Sequence, residues 1–115
     1  MHELSICQSM LNQVNQIALK HHAERVTQIT LHVGQLSGVE PQLLLHAFPI
    51  ASAGSVAHDA TLIIETLPIR VHCRQCHQVS EATMNQLTCR YCGGQHTQLI
   101  SGNELLLVNV ELATQ

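Results

Sequence analysis

The sequence predicts an α+β fold in which two helices pack on a three-stranded sheet and a small module is inserted before the last strand. Apolar residues recur at helical spacing in two segments and alternate or cluster in three others. A polar stretch that carries four of the five cysteines separates the second strand from the third. With 115 residues, the chain has room for one core and an appendage that needs its own source of stability.

The first helix is predicted over residues 4–22, where apolar side chains form a stripe for the core. The stripe consists of Leu4, Cys7, Met10, Leu11, Val14, Ile17 and Ala18. The first strand follows over residues 26–33, where every second residue from Ile29 is apolar, and it ends at Gly34. We therefore expect a helix and a half-buried strand that share one core.

The second helix is predicted to begin at Glu40-Pro41. Proline suits the first helical position, and a carboxylate suits the positive end of the helix dipole. Leu44, Leu45 and Phe48 supply its buried face. Pro49 is expected to kink this helix or to end it.

Two further strands complete the predicted sheet. One is the β-branched segment 61–67, and the other is the segment 104–112. Apolar residues share one face of the last strand, namely Leu106, Val108, Val110 and Leu112. The main domain is thus predicted to comprise residues 1–68 and 102–115, and the inserted module residues 69–101.

The composition excludes several classes of protein. Apolar residues make up 45% and charged residues 11% of the chain, which indicates a buried core. The net charge is −3, the five basic side chains are scattered, and Tyr91 and Phe48 are the two aromatic residues, so nucleic-acid binding is not expected. No segment approaches the roughly 20 apolar residues that cross a bilayer. We expect a cytoplasmic protein without a membrane segment.

Four cysteines predict a structural zinc site in the inserted module. Cys73 and Cys76 form one C-x2-C step, and Cys89 and Cys92 form an identical step after a spacing of twelve residues. Two such turns can face each other across a hairpin and present four thiolates in a tetrahedron, which suits zinc. Because four protein ligands leave no open position, this zinc is not expected to be catalytic. The module is therefore interpreted as a zinc ribbon.

Two other uses of these cysteines stay open from spacing alone. One is an iron site with four thiolate ligands, and the other is a redox dithiol in one of the C-x2-C steps. The fifth cysteine, Cys7, lies on the apolar stripe of the first helix and is interpreted as a small hydrophobic residue.

The amino terminus is the second segment with metal chemistry. In Met1-His2-Glu3, a free amine, ionised backbone amides and the imidazole can chelate one ion in joined rings. Four nitrogens in a plane favour nickel(II) or copper(II). The large side chain at His2 hinders removal of the initiator methionine, so the amine of Met1 is expected to be a ligand.

Together, these residues resemble the HypA family of nickel chaperones of nickel-iron hydrogenase maturation, which includes the HybF paralogues. The resemblance covers the whole chain. It rests on Met1-His2-Glu3, on the segment V-G-Q-L-S-G-V-E-P at residues 33–41, on G-S-V-A at residues 54–57, and on the two C-x2-C steps.

The resemblance implies a nickel metallochaperone, and not an enzyme. It implies that nickel(II) is bound by Met1, His2 and Glu3, with Glu3 and Glu40 as tuning acids and His96 as a position that responds to nickel or pH. It also implies delivery to the precursor of the hydrogenase large subunit together with a HypB-type GTPase, and in some organisms to urease maturation proteins. The chain has no G-x-x-x-x-G-K-S/T loop, so nucleotide hydrolysis would come from the partner.

A different class of function stays open beside this one. A zinc ribbon can serve as an adaptor that binds a protein or a nucleic acid, and the amino terminus would then be inert. The sequence also leaves open a monomer or a homodimer, including a dimer that exchanges its last strand.

Overall fold

The computed structural model describes residues 2–114, which form two helices and six strands. The elements are α1 (His2–Lys20), β1 (Arg25–Gly34), α2 (Pro41–Ser52), β2 (Thr61–Leu67), β3 (Ile69–Cys73), β4 (Val79–Ala82), β5 (Thr97–Ser101) and β6 (Leu105–Ala113). The strands form two three-stranded sheets, in the orders β2-β1-β6 and β4-β3-β5. This arrangement confirms the predicted α+β fold.

Helix α1 buries one stripe of side chains and ends in a left-handed residue. The buried side chains are Cys7, Met10, Leu11, Val14 and Ala18. At its end, His22 has a φ of 54°. The N–H of His22 donates to the carbonyl of Leu19 over 3.2 Å, and that of Ala23 donates to Ala18 over 2.9 Å. These two bonds form a Schellman cap, which satisfies the last carbonyls of the helix.

Helix α2 packs against α1 and begins as the sequence predicts. Pro41 is its first residue, and Glu40 before it has an extended backbone with φ −90° and ψ 113°. The Sγ of Cys7 lies 3.6 Å from the carbonyl oxygen of Leu44, which joins the two helices at a buried position. The helix continues three residues beyond Pro49, to Ser52. Among the residues that the structure describes, neither helix combines the length and apolar character needed to cross a membrane.

Strand β1 is central in its sheet and supplies the core, whereas β6 lies at an edge. Ile29, Leu31 and Val33 of β1 are buried. On β6, Leu106 is 50% exposed and Val108 is 44% exposed. An edge strand has a neighbour on one side only, so its apolar side chains are covered less completely than those of a central strand.

The described chain divides into two compact units. One comprises residues 2–31, 39–65 and 106–114, and the other comprises residues 32–38 and 66–105. The second unit holds β3, β4 and β5 together with residues 32–38. The predicted domain boundaries stay a prediction.

Backbone contacts explain why residues 32–38 belong to the ribbon unit. The N–H of Gly34 donates to the carbonyl of Glu104 over 2.8 Å, and the N–H of Leu36 donates to that of Gly102 over 2.6 Å. A Cβ on Gly34 would overlap the carbonyl carbon and oxygen of Gly102. Glycine is therefore required at position 34 for this close approach.

We expect Gly34→Ala to destabilise the ribbon unit by about 1–3 kcal/mol or more, because the clash is with backbone atoms that cannot rotate away. Gly38→Ala is the matched control: no atom lies within 4 Å of a Cβ there, and the cost is confined to its φ of 81°. Urea unfolding of both variants measures the difference. A midpoint for Gly34→Ala that is equal to the native one would contradict the close packing.

Candidate metal sites

The two C-x2-C steps form turns with the same backbone pattern. In the first turn, the N–H of His77 donates to the carbonyl of Cys73 over 3.0 Å; in the second, the N–H of Gly93 donates to that of Cys89 over 2.9 Å. His77 and Gly93 are both left-handed, with φ of 63° and 73°. Glycine adopts this conformation without strain, and histidine is among the residues that tolerate it. The sequence thus folds each step into a loop that presents two sulfur atoms.

The four sulfur atoms converge in a geometry that fits a tetrahedral ion. All four lie within 4.8 Å of one another. The Sγ of Cys73 is 3.5 Å from that of Cys92, and the Sγ of Cys76 is 3.6 Å from that of Cys89. A zinc ion with bonds of about 2.3 Å needs sulfur atoms about 3.8 Å apart. The cysteines are free thiols. The donor set therefore suits a tetrahedral metal ion with four thiolate ligands.

The environment of these thiols favours ionisation of one cysteine in each turn. The N–H of Cys92 donates to the Sγ of Cys89, and it is the main cause that lowers the pKa of Cys89 to about 6. In the first turn, the N–H of Cys76 lowers the pKa of Cys73 in the same way. For Cys76, the N–H of Gln78 acts to lower the pKa, but burial and the neighbouring sulfur atoms raise it to about 12. Four thiolates therefore need a cation among them.

The sulfur pairing differs from that of a redox dithiol. Each of the two pairs, at 3.5 Å and 3.6 Å, joins a cysteine of one C-x2-C step to a cysteine of the other. A redox motif uses the two cysteines of a single step. Cys7 is not one of these four cysteines; it is fully buried, and burial raises the pKa of its thiol.

The histidines of the ribbon are not part of this cluster. Among residues 2–114, only the four cysteines form a group of three or more metal-ligating side chains whose donor atoms lie close together. The ring of His96 is exposed, and its backbone carbonyl accepts the N–H of Arg74 over 2.8 Å. The rings of His72 and His77 lie 5.9 Å apart. A role of His96 in the response to nickel or pH therefore stays a prediction.

One ribbon residue with a structural role was not identified from the sequence. Ser80 is buried, and its Oγ accepts the N–H of Arg90 over 3.2 Å, which ties the second cysteine turn to β4. The alternation of Ile69 and Val71 could have revealed the ribbon sheet, because β4 pairs with β3 and places Ser80 opposite Val71.

At the amino terminus, the structure describes two of the three predicted nickel ligands. Met1 lies outside the described residues. His2 is the first residue of α1, and its side chain is 63% exposed. The Nδ1 of His2 lies 3.6 Å from the Oε2 of Glu3, whose side chain is 15% exposed. The imidazole is therefore accessible, and a carboxylate lies beside it.

Glu3 is held by backbone groups as well as by His2. The backbone N–H of Glu40 donates to the Oε2 of Glu3 over a long 3.5 Å. The backbone N–H of Glu3 itself is the largest cause of a lowered Glu3 pKa, followed by that of Glu40 and by His2. Glu3 is thus ionised at neutral pH. Glu40 contacts it through a backbone N–H, while its own carboxylate is exposed.

Comparison with known proteins places this arrangement in a family. A family model described as "Hydrogenase/urease nickel incorporation, metallochaperone, hypA" matches residues 1–112. The hydrogenase maturation factor HypA of Nitrosospira multiformis is 50% identical over 114 residues, which are 99% of each chain. That of Aquifex aeolicus is 40% identical over 97% of each chain. HybF of Salmonella typhimurium is 35% identical over 97% of this chain and 99% of its own.

Solved structures share the fold. The solution structure of the Ni metallochaperone HypA from Helicobacter pylori has a TM-score of 0.70 at 23% identity, over 98% of each chain. A second HypA solution structure has a TM-score of 0.75 at 25% identity, over 100% of this chain and 98% of its own. The chain therefore belongs to the HypA family of metallochaperones, which incorporate nickel during hydrogenase maturation and are not enzymes.

Proposed function

We propose that the chain binds nickel(II) at its amino terminus, through the amine of Met1, the imidazole and backbone nitrogen of His2, and the backbone nitrogen of Glu3. The observation that carries this proposal is that His2 and Glu3 lie in the first turn of α1. The first four N–H groups of a helix have no helical carbonyl to bind. The backbone nitrogens of His2 and Glu3 can therefore lose a proton and ligate nickel without breaking a helical hydrogen bond.

The acidic residues tune this site from outside the ligand set. The ionised carboxylate of Glu3 beside His2 favours a cation, and the N–H of Glu40 fixes its position. His96 is a further proposed tuning position. Copper(II) would bind four nitrogens more tightly than nickel(II), so selectivity depends on which metal is available and on which protein receives it.

The second metal site is proposed to be structural zinc, held by Cys73, Cys76, Cys89 and Cys92. Four thiolates fill a tetrahedral coordination sphere, so the ion would give the ribbon a core and would not activate water. Thiols stay reduced in the cytoplasm, where we propose that the protein acts. Zinc binding is assigned to the domain of residues 69–101, and nickel binding to that of residues 1–68 and 102–115.

We further propose that nickel passes by ligand exchange to the precursor of the hydrogenase large subunit, with a HypB-type GTPase as partner. The chain carries no G-x-x-x-x-G-K-S/T loop, so any nucleotide hydrolysis in this transfer is proposed to come from the partner. The matched family description also names urease, so urease maturation proteins are proposed as further recipients. A site of nitrogen ligands at a chain end can bind nickel and can also release it to the next protein.

This proposal predicts hydrogenase maturation that depends on His2. In a bacterium whose own HypA-type chaperone is deleted, the native chain should restore nickel-iron hydrogenase activity at limiting nickel. His2→Ala should fail to restore it, whereas His21→Ala, which replaces an exposed histidine directly after the last residue of α1, should restore it. Equal activity with the native chain and with His2→Ala, at equal protein levels, would contradict the proposed route.

A further inference from the structure

We propose that the ribbon unit docks an acidic segment of a partner protein, in which a carboxylate lies next to an apolar side chain. The site is a cleft of about 390 Å³ lined by Arg70, Val79, Ser80, Glu81, Arg90 and Tyr91. All six residues belong to the ribbon unit. None of them is a proposed metal ligand, so the inference does not depend on nickel binding.

Two guanidinium groups of this cleft are available to a ligand. Arg70 lies on β3 and Arg90 in the second cysteine turn, and both are exposed. Glu81 pairs with Arg70 across the strands. Within residues 2–114, neither guanidinium forms an ion pair or hydrogen bond, even with Glu81. Because a guanidinium can bind a carboxylate through two parallel hydrogen bonds, the pair suits an acidic ligand.

The apolar side chains next to the two arginines favour binding of a peptide over binding of a small anion. Val79 is 48% exposed, and Tyr91, the one tyrosine of the chain, is 66% exposed. Tyrosine and arginine, with tryptophan, are enriched among the residues that dominate binding energy at protein interfaces. Phosphate alone would leave the ring of Tyr91 and the side chain of Val79 unused. An acidic residue flanked by a leucine or isoleucine would use both kinds of surface.

The charge distribution points to the same ligand. Residues 69–101 contain three arginines and one glutamate, a net charge of +2; the rest of the chain contains two basic and seven acidic side chains, a net charge of −5. Four thiolates around a divalent ion carry a net negative charge, which would also attract cations, and Arg74 and Arg90 directly follow ligand cysteines. Arg70 does not follow a cysteine, so the cysteine cluster does not explain its position at the cleft with Arg90.

The cysteine cluster fixes the position of this cleft. The N–H of Tyr91 donates to the Sγ of Cys89 over 3.4 Å, and the N–H of Arg90 donates to the Oγ of Ser80 over 3.2 Å. The backbone of both cleft residues is thus held by the metal-binding turn. Removal of the metal should therefore remove the cleft.

The test is a titration of the full-length, zinc-loaded protein with a fluorescein-labelled peptide of alternating glutamate and leucine. We expect the amide signals of residues 70, 79–81, 90 and 91 to shift. The double variant Arg70→Gln/Arg90→Gln should bind the peptide about tenfold more weakly. Arg74→Gln is the matched control, because it removes an exposed arginine of the other cysteine turn, and it should stay within about twofold of the native protein. Chelation of zinc should abolish binding.

Several outcomes would overturn the inference. These are no peptide binding at millimolar concentration, an equal loss with Arg74→Gln, or equally tight binding of a peptide of alternating lysine and leucine. Tighter binding of inorganic phosphate or of a nucleotide at the same residues would show that the cleft binds a small anion and not a peptide. Dimerisation that the double variant abolishes would assign the cleft to a second copy of this chain. Zinc content is measured in each variant. Loss of zinc from the double variant would show that the two arginines balance the charge of the zinc-thiolate cluster and do not bind a peptide.

Discussion

Replacement of His2 by alanine is expected to weaken nickel(II) binding more than about 100-fold. The imidazole is the one side-chain ligand of the proposed site, and the other ligands are an amine and backbone nitrogens. Loss of an outer-shell partner of a metal typically costs about 10- to 100-fold in affinity, and loss of a direct ligand should cost more. The His2 side chain is 63% exposed, so its removal should disturb the packing of α1 little.

Two controls make this prediction specific. His21→Ala removes an exposed imidazole directly after α1 and should leave nickel affinity unchanged. Glu3→Gln keeps the backbone nitrogens but removes the charge 3.6 Å from the Nδ1 of His2, so it should weaken binding by less than His2→Ala does. Calorimetric titration at neutral pH measures all three. Equal affinities for His2→Ala and His21→Ala would show that nickel binds elsewhere.

Replacement of Cys89 by serine is expected to abolish zinc binding and to unfold the ribbon. Cys89 is buried, and its sulfur accepts the N–H groups of Tyr91 and Cys92. Its pKa is lowered to about 6, so this thiol is ionised at neutral pH and is ready to ligate. Zinc binding contributes on the order of 10 kcal/mol to the folding of small modules. No other interaction of a unit with so few buried apolar residues would compensate for that loss.

The measurement combines metal analysis with amide spectra. The native protein should carry one zinc per chain, and Cys89→Ser none, with amide signals of residues 69–101 collapsing toward random-coil positions. Cys7→Ala is the control: it removes a fully buried thiol of α1 and should lower stability while one zinc per chain is kept. A folded ribbon in zinc-free Cys89→Ser would contradict a structural role, and iron in the native protein would replace zinc as the ion.

The periodicity of the sequence predicted both helices and the sheet of the main domain, because each has a single face that must be buried. The strands β3, β4 and β5 were not identified individually. They have four or five residues each, which is too short for an alternation of apolar residues to identify each of them. The close approach of Gly34 to Gly102 was not predictable either, since it joins distant parts of the chain.

The cysteine cluster was predictable because two short, identical steps determine their own loop geometry. The environment of His2 could not be predicted from the sequence, because it depends on tertiary contacts. Glu40 is an example, because its backbone N–H donates to the Oε2 of Glu3, a contact that no spacing in the sequence indicates. Spacing in a sequence identifies candidate side chains, but it does not reveal which backbone groups meet them.

The most direct test of the nickel proposal is a titration of the protein with one alanine added before Met1. This variant keeps every side chain, including His2 and Glu3, but moves the amine away from the imidazole and interrupts the joined chelate rings. We predict that nickel(II) affinity falls at least as far as in His2→Ala, and that any absorption band of square-planar nickel disappears. Undiminished affinity with an unchanged nickel spectrum would show that the terminal amine is not a ligand, and the proposed site would be wrong.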